Sequence, residues 1–454
     1  MTRRDWLRGA AGGAPAFAAG TPPGFRLAAF SAEVTPPLGY PLFAGFYAPA
    51  LKIEDPLYAH GFVLLGPDRP LVLVAVDFLE IRNESYEQWR RALAKAAGTV
   101  PERVLVTSVH QHNAPFADRV AQQLLKRHHV PGKICDEAFH ERTVAAVCAA
   151  LRKALPAARP VSHIGLGQAK VERVASNRRA VLPDGKVTFG RASSTPDPVV
   201  RNAPEGLIDP WLKTVSFWDG DRPVAAVSSY SVHAQTHFGK GGVTADFLGW
   251  ARARRQKDTP EVAQIYAPGC SGDTVAGKYN DGDPRNWPLL SERVHQAMVS
   301  AWRQTSRYPL SRIHFRSAPL RLKTRETGGY SKSDQLRTLS DSSQTYIKRA
   351  VAAMGLSWRQ RVEAGYAIDI PVVDLGPATL VLMPGETFVQ YQLWAQSLHP
   401  DQFVMAIGFG ECAPGYIPTR AAVAEGWDDI WMWDDPESAE EIMLASLRDA
   451  LQPR

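Results

Sequence analysis

Short apolar runs that stop abruptly at polar, metal-capable residues recur through this chain. They constrain its fold more than any other feature. Leu71-Val72-Leu73-Val74-Ala75-Val76 stops at Asp77, and Arg103-Val104-Leu105-Val106 leads into Thr107-Ser108-Val109-His110-Gln111-His112-Asn113-Ala114-Pro115. Pro223-Val224-Ala225-Ala226-Val227-Ser228-Ser229-Tyr230-Ser231-Val232 ends at His233, and Thr379-Leu380-Val381-Leu382-Met383 runs into Pro384-Gly385-Glu386. Continuous apolar runs of this length are typical of strands buried on both faces. Between them lie longer segments with apolar residues three and four apart, such as Val144, Val147, Cys148 and Leu151. That is the helical period. The alternation predicts an α/β chain of mixed β-sheets flanked by helices.

The same reading predicts strands over 71–77, 103–109, 223–232, 262–267 and 403–407, with others near 161–169 and 212–218. A strand pair is expected over 366–374 and 378–383, joined at Gly376-Pro377. Helices are expected over 84–98, 137–154, 246–256, 289–305, 386–398 and 436–451. The loop-rich stretches 173–210 and 323–342 read as flaps or insertions.

A net charge of +6 over 454 residues is modest, and the Lys and Arg are scattered rather than striped among aromatics. Nucleic acid is therefore not an expected partner. Beyond the N-terminus no stretch reaches the roughly 18 continuous apolar residues of a transmembrane helix. Cys135, Cys148, Cys270 and Cys412 form no CxxC pair, so a thiolate zinc site is not expected and no disulfide is implied. Arg3-Arg4 precedes a small-residue, mildly apolar segment ending near Ala19, which resembles a twin-arginine export signal. Residues 1–24 are expected to be that signal and a linker, and 25–454 a single catalytic domain. The location predicted is periplasmic or extracellular.

On a strand, residues i and i+2 share a face. His110 and His112 are thus expected to project together from a strand end, where α/β proteins build their sites. Two such imidazoles either share a metal or divide the work, one binding it and the other moving protons. Two imidazoles and a carboxylate make a common catalytic zinc set with room for water. The other candidates have ordinary readings when taken singly. His233 can pack in a core, and Glu386 can simply start a helix, where the helix dipole favours a carboxylate. Tyr416 reads as core or rim. The turn over 269–272 either connects two elements or presents N–H groups to an oxyanion.

The order of these segments resembles the neutral (non-lysosomal) ceramidase family over about residues 25–430. The family's Thr-His-Thr-His-Ser-Gly-Pro is matched by Ser108-Val109-His110-Gln111-His112-Asn113-Ala114-Pro115. Its Asn-Arg segment is matched by Ser176-Asn177-Arg178-Arg179, and its second histidine strand by Tyr230-Ser231-Val232-His233. Its glutamate turn is matched by Pro384-Gly385-Glu386, and its Gly-Tyr-x-x-Thr-Arg by Gly415-Tyr416-Ile417-Pro418-Thr419-Arg420. The resemblance implies a zinc (Zn2+) site of His110, His233, Glu386 and Tyr416. It implies that His112 moves protons beside the metal and that Arg178 binds a substrate oxygen or the developing oxyanion. The implied reaction is hydrolysis of an amide (N-acyl) bond by attack of zinc-bound water.

The departures fall in substrate-facing parts. Gly272-Asp273-Thr274-Val275-Ala276 puts Val275 where the family's Gly-Asp-Val-Ser-Pro has serine. No serine nucleophile is assigned; Ser271 and Thr274 are the nearby hydroxyls. Ala424-Glu425-Gly426-Trp427 stands where the family has a further tyrosine before Glu-Gly. The family's C-terminal immunoglobulin-like domain has no counterpart in these residues. Two other functions stay open: a zinc hydrolase of a polar ester or amide such as an acylated sugar, and a non-catalytic metal-containing binding protein. The expected partner is a small molecule or a lipid, with contact to a membrane surface left open. Trp427, Trp431 and Trp433 are expected to form an apolar wall, a stacking platform or a packed core.

Overall fold

The computed structural model describes residues 24–452. The twin-arginine segment lies outside the described residues. Three sheets carry most of the strands. The first runs Val104–Ser108, Leu71–Val76, Tyr58–Leu65, Phe25–Glu33, Arg159–Val161. The second runs Ala263–Tyr266, Arg222–Ser229, Trp211–Asp219, His163–Lys170, Ser306–Pro309. The third runs His314–Leu320, Ile368–Asp374, Ala378–Leu382, Phe403–Ile407. Neighbours are antiparallel except for one parallel pair in each sheet. These are Leu71–Val76 with Val104–Ser108, Arg222–Ser229 with Ala263–Tyr266, and Ala378–Leu382 with Phe403–Ile407.

Parallel neighbours need a crossover, and each pair has a helix between its strands: Asn83–Ala97, Asp246–Asp258 and Val389–Ser397. The fold thus holds three βαβ units, one per sheet. Their C-terminal ends dock together. Ser108 N–H donates to Phe409 O (3.0 Å), Gly408 N–H to Pro268 O (2.8 Å) and Ser229 Oγ to Ala406 O (3.1 Å).

The period of two along each strand explains the layering. Leu71, Leu73 and Ala75 face a central core shared with Val215 and Phe217 of the second sheet and Leu380 and Met405 of the third. Val72, Val74 and Val76 face outward beneath Asn83–Ala97 and Glu137–Ala154. In the third sheet Val381 and Ile370 turn to a separate core with Met443 and Leu447 of the closing helix Pro436–Leu451.

The expected mixed α/β architecture is borne out, with boundaries shifted by a few residues. Strands Phe25–Glu33, Tyr58–Leu65, Ser306–Pro309 and His314–Leu320 went unread in the sequence, as did helices Arg119–Arg127 and Tyr346–Glu363. The stretch 323–342 is not all loop, because Ser331 caps Asp334 N–H and starts the helix Lys332–Ser340. The stretch 173–210 is largely irregular, as expected, with short strands such as Ser176–Asn177. All four cysteines are buried and free. Among the described residues no helix is long and apolar enough to cross a membrane.

Candidate metal centre

The loops that leave the three parallel pairs supply the site. His110 and His112 follow Val104–Ser108, but not as a strand face. The strand stops at Ser108, and His110 has a left-handed backbone (φ 68°). The expected strand-end geometry is therefore replaced by a turn. His110 N–H is spent on Phe78 O (2.9 Å) and His112 N–H on Ala234 O (3.3 Å), bonds to other loops rather than to a sheet neighbour. The turn still gathers the two rings, with centroids 4.8 Å apart and planes at 88°. Left-handed backbone at a bulky residue costs energy and is held only where surroundings over-determine it. Here Phe409, itself at φ 53°, stacks on the His110 ring at 4.2 Å. Gln111 points away and donates to Asp77 Oδ1 (2.8 Å), tying the turn to the first strand's end.

His233 lies past the end of Arg222–Ser229, with its N–H on Thr274 O (3.0 Å). Glu386 does not start a helix. It sits in the short strand Glu386–Thr387, paired in parallel with Tyr416–Ile417, with Glu386 opposite Tyr416. The helix begins only at Val389, because Glu386 N–H donates to Gly415 O (2.9 Å) and Phe388 N–H to Ile417 O (3.2 Å). Gly272 is required beside this strand: a Cβ there would lie 2.1 Å from Glu386 O.

Five residues named from the sequence meet in one buried cluster: His110, His112, His233, Glu386 and Tyr416 are each 7 % exposed or less. His110 Nδ1 contacts Leu79 O (2.9 Å) and His233 Nδ1 contacts Ser271 O (2.6 Å). A carbonyl only accepts, so both rings carry their proton on Nδ1 and offer Nε2 as a lone pair. Both Nε2 atoms then face a single oxygen: Glu386 Oε2 is 3.0 Å from His233 Nε2 and 3.3 Å from His110 Nε2. Three acceptors converge, which is favourable only around a cation or shared protons. Ligands about 2.0–2.2 Å from a tetrahedral zinc stand about 3.3–3.5 Å apart, and imidazoles held by backbone carbonyls are the usual outer support. The residues present fit a divalent metal ion.

The electrostatics follow from burial. Burial opposes ionisation of Glu386; positive charge shared with His110 and His233, brought by a proton or a metal ion, holds its carboxyl well below the usual range. Burial, then the neighbouring His110 and His233, hold His112 well below the usual imidazole value. Its Nδ1 faces His110 O (3.2 Å) and Ala234 O (3.3 Å), which leaves Nε2 as a base. Burial raises the Tyr416 phenol, with Arg178 opposing. Arg178 is half-buried and fixed by Nε to Gly272 O (3.1 Å), and its Nη2 donates to Tyr416 Oη (3.3 Å).

A cavity of ≈ 250 Å³ opens over this cluster, walled by Phe43, Tyr47, Glu80, Arg178, Asp429 and Trp431. Phe43 stacks on His112 at 5.1 Å. The tryptophan group splits. Trp431 lines the cavity, Trp427 packs edge-on to Tyr416 (5.4 Å), and Trp433 lies under the Arg82 guanidinium (4.2 Å). Ser271 serves through its carbonyl, the Thr274 hydroxyl donates to Ser231 O (3.1 Å), and Val275 pairs with Ser176. Sequence reasoning missed Glu80, Asp429 and Phe43. For Glu80 a signal existed, since it lies four residues beyond the Leu71–Val76 strand.

A comparison with solved structures matches the fold of the chain to the neutral ceramidase from Pseudomonas aeruginosa. The TM-score is 0.68 at 16% identity, covering 94% of this chain and 74% of that one. A ceramidase complexed with C2 gives a TM-score of 0.66 at 15% identity, covering 94% and 75%. The chain has the neutral ceramidase fold. No protein-family model matches it, and no curated protein matches it. The resemblance in motif order thus coincides with a shared fold at an identity far below what unaided sequence alignment resolves.

Proposed function

We propose that the chain is a zinc-dependent hydrolase of an amide (N-acyl) bond, working by ceramidase-type chemistry. One observation carries the reading: His110 Nε2 and His233 Nε2 converge on Glu386 Oε2 in a buried cavity, with both Nδ1 atoms committed to carbonyls. In this reading His110, His233 and Glu386 hold the ion, with Tyr416 as a fourth donor. When bound, zinc supplies a Lewis acid and water that ionises near neutral pH. The remaining work falls to the chain's own groups. His112 takes the proton of the attacking water at Nε2 and returns it to the leaving nitrogen. Its fixed Nδ1–H and its lowered pKa keep it a neutral base at pH 7. Arg178 faces the substrate's carbonyl oxygen as negative charge grows there. Phe43 shields the His112 ring from bulk water. Residues 1–24 serve as the export signal and 25–454 as the catalytic domain.

A second reading has its own support. A cavity of ≈ 250 Å³ walled partly by Glu80, Arg178 and Asp429 is small against the roughly 300–1,000 Å³ of ordinary ligand pockets. It favours a compact polar ester or amide, such as an acylated sugar, under the same chemistry. The test incubates the protein with an N-acylsphingosine and with acetylated saccharides, each with and without a chelator. Fatty-acid release that stops on chelation and returns with zinc supports the amide reading. Turnover of saccharides alone supports the second. Full activity after complete metal removal contradicts both.

A further inference from the structure

We propose that Glu80 is a further ligand of the same cation, beside His110, His233, Glu386 and Tyr416, so that two carboxylates rather than one reach it. This rests on the metal reading above. Glu80 sits in the short strand Glu80–Ile81, paired in parallel with Phe116–Ala117. It thus precedes the crossover helix of the first βαβ unit, as Glu386 precedes that of the third. Its side chain is 0% exposed and borders the cavity, yet neither oxygen receives a hydrogen bond. A buried carboxylate with both oxygens unmet is strongly disfavoured until a cation or proton reaches it. Arg82 offsets this charge only in part. Its Nε is 3.5 Å from Glu80 Oε2 and donates instead to Cys412 O (3.1 Å), while its other nitrogens reach Ala413 O (2.5 Å) and Met354 Sδ (3.2 Å).

What Glu80 does meet is the donor set. One carboxylate oxygen of Glu80, the His110 ring and a Glu386 oxygen lie within 4.8 Å of one another, as do ring nitrogens of His110, His112 and His233. His110 belongs to both groups but offers one lone pair, because Nδ1 is spent on Leu79 O. Both groups therefore surround one cation position, not two. A second carboxylate also makes the donor set harder, extending its tolerance from zinc to manganese(II) and iron(II).

The test compares wild type with Glu80→Gln and Glu80→Ala. Zinc affinity is read by competition against a chromophoric chelator, coordination by the visible spectrum of the cobalt(II)-loaded protein, and folding by the melting of the metal-free protein. Glutamine keeps the shape and hydrogen-bonding capacity of a protonated acid but not the charge. We expect both variants to lose zinc affinity about tenfold or more, to alter the cobalt spectrum, and to melt no lower than wild type when metal-free. Wild-type affinity and spectrum in Glu80→Gln would overturn the proposal and leave Glu80 a neutral hydrogen-bond donor. Failure of both metal-free variants to fold would also overturn it. A wild type that binds no divalent ion would refute the metal reading itself, a distinct result.

Discussion

Glu87 and Glu411 are buried almost as deeply as Glu80 and Glu386, but they keep different company. Arg361 donates to Glu87 (2.9 Å) and to Glu411, and Arg90 donates to Glu87 (3.1 Å) and to Asp369 (2.6 Å). Backbone N–H groups of Asn83 (2.8 Å) and Ala413 (3.1 Å) complete Glu411. Burial pushes Glu411 up to about 7, with Arg361 pulling the other way. The three N–H donors on it are what an ionised carboxylate collects. Around Glu386 the nearest neighbours are imidazole lone pairs and a second carboxylate. The first cluster is neutralised by the chain and belongs to the fold. The second is left for a cation from outside and belongs to the function. The two also touch, since the 409–413 loop holds both Phe409 against His110 and Glu411 against Asn83.

The strongest way to break this contrast is Glu386→Ala. Zinc retention should fall by at least about 100-fold, and activity should drop to that of chelated wild type. Metal analysis after dialysis checks it, and unchanged zinc would remove Glu386 from the donor set. Next, His112→Ala should cost about 10²–10⁴ in turnover while zinc content stays at the wild-type level. Zinc loss in that variant would make His112 a ligand rather than a base.

Arg361→Ala probes the other cluster. Leaving Glu87 and Glu411 unmatched should cost about 3–5 kcal/mol in urea unfolding, with zinc retained per folded chain. Equal loss of zinc and stability would mean the two clusters are one. The smallest effect is a pH dependence. Burial, then Arg178, holds His233 down to about 4 against an ordinary 6.5. The unfolded chain therefore binds a proton that the folded chain refuses between those values. The contribution of His233 to the stability of the metal-free protein should be level above pH 6.5 and fall by up to ~3 kcal/mol as the pH drops toward 4. The difference curve against His233→Gln isolates this, and a flat difference would contradict it.

The sequence made the architecture legible where apolar runs were long. Leu71–Val76, Ala378–Leu382 and Phe403–Ile407 announce themselves because both faces of each are buried. Phe25–Glu33 mixes buried, half-buried and exposed residues without regular alternation, so its period is weak. The metal-capable residues were legible through motif order, but their local geometry was not. A left-handed His110 is dictated by loops that arrive from other sheets, and Glu386 joins a strand whose partner, Tyr416, lies 30 residues on. Glu80 escaped notice because its one signal, a place four residues beyond the Leu71–Val76 strand, is shared by any acid that follows a strand. Its meaning appears only when His110 and Glu386 are brought beside it.

The most direct test of a cluster that needs an outside cation is the metal content of purified wild-type protein, measured beside its hydrolytic activity through chelation and reloading. One divalent metal ion per chain is expected, removed and restored in step with activity. Folded, fully active protein with no bound metal would contradict it.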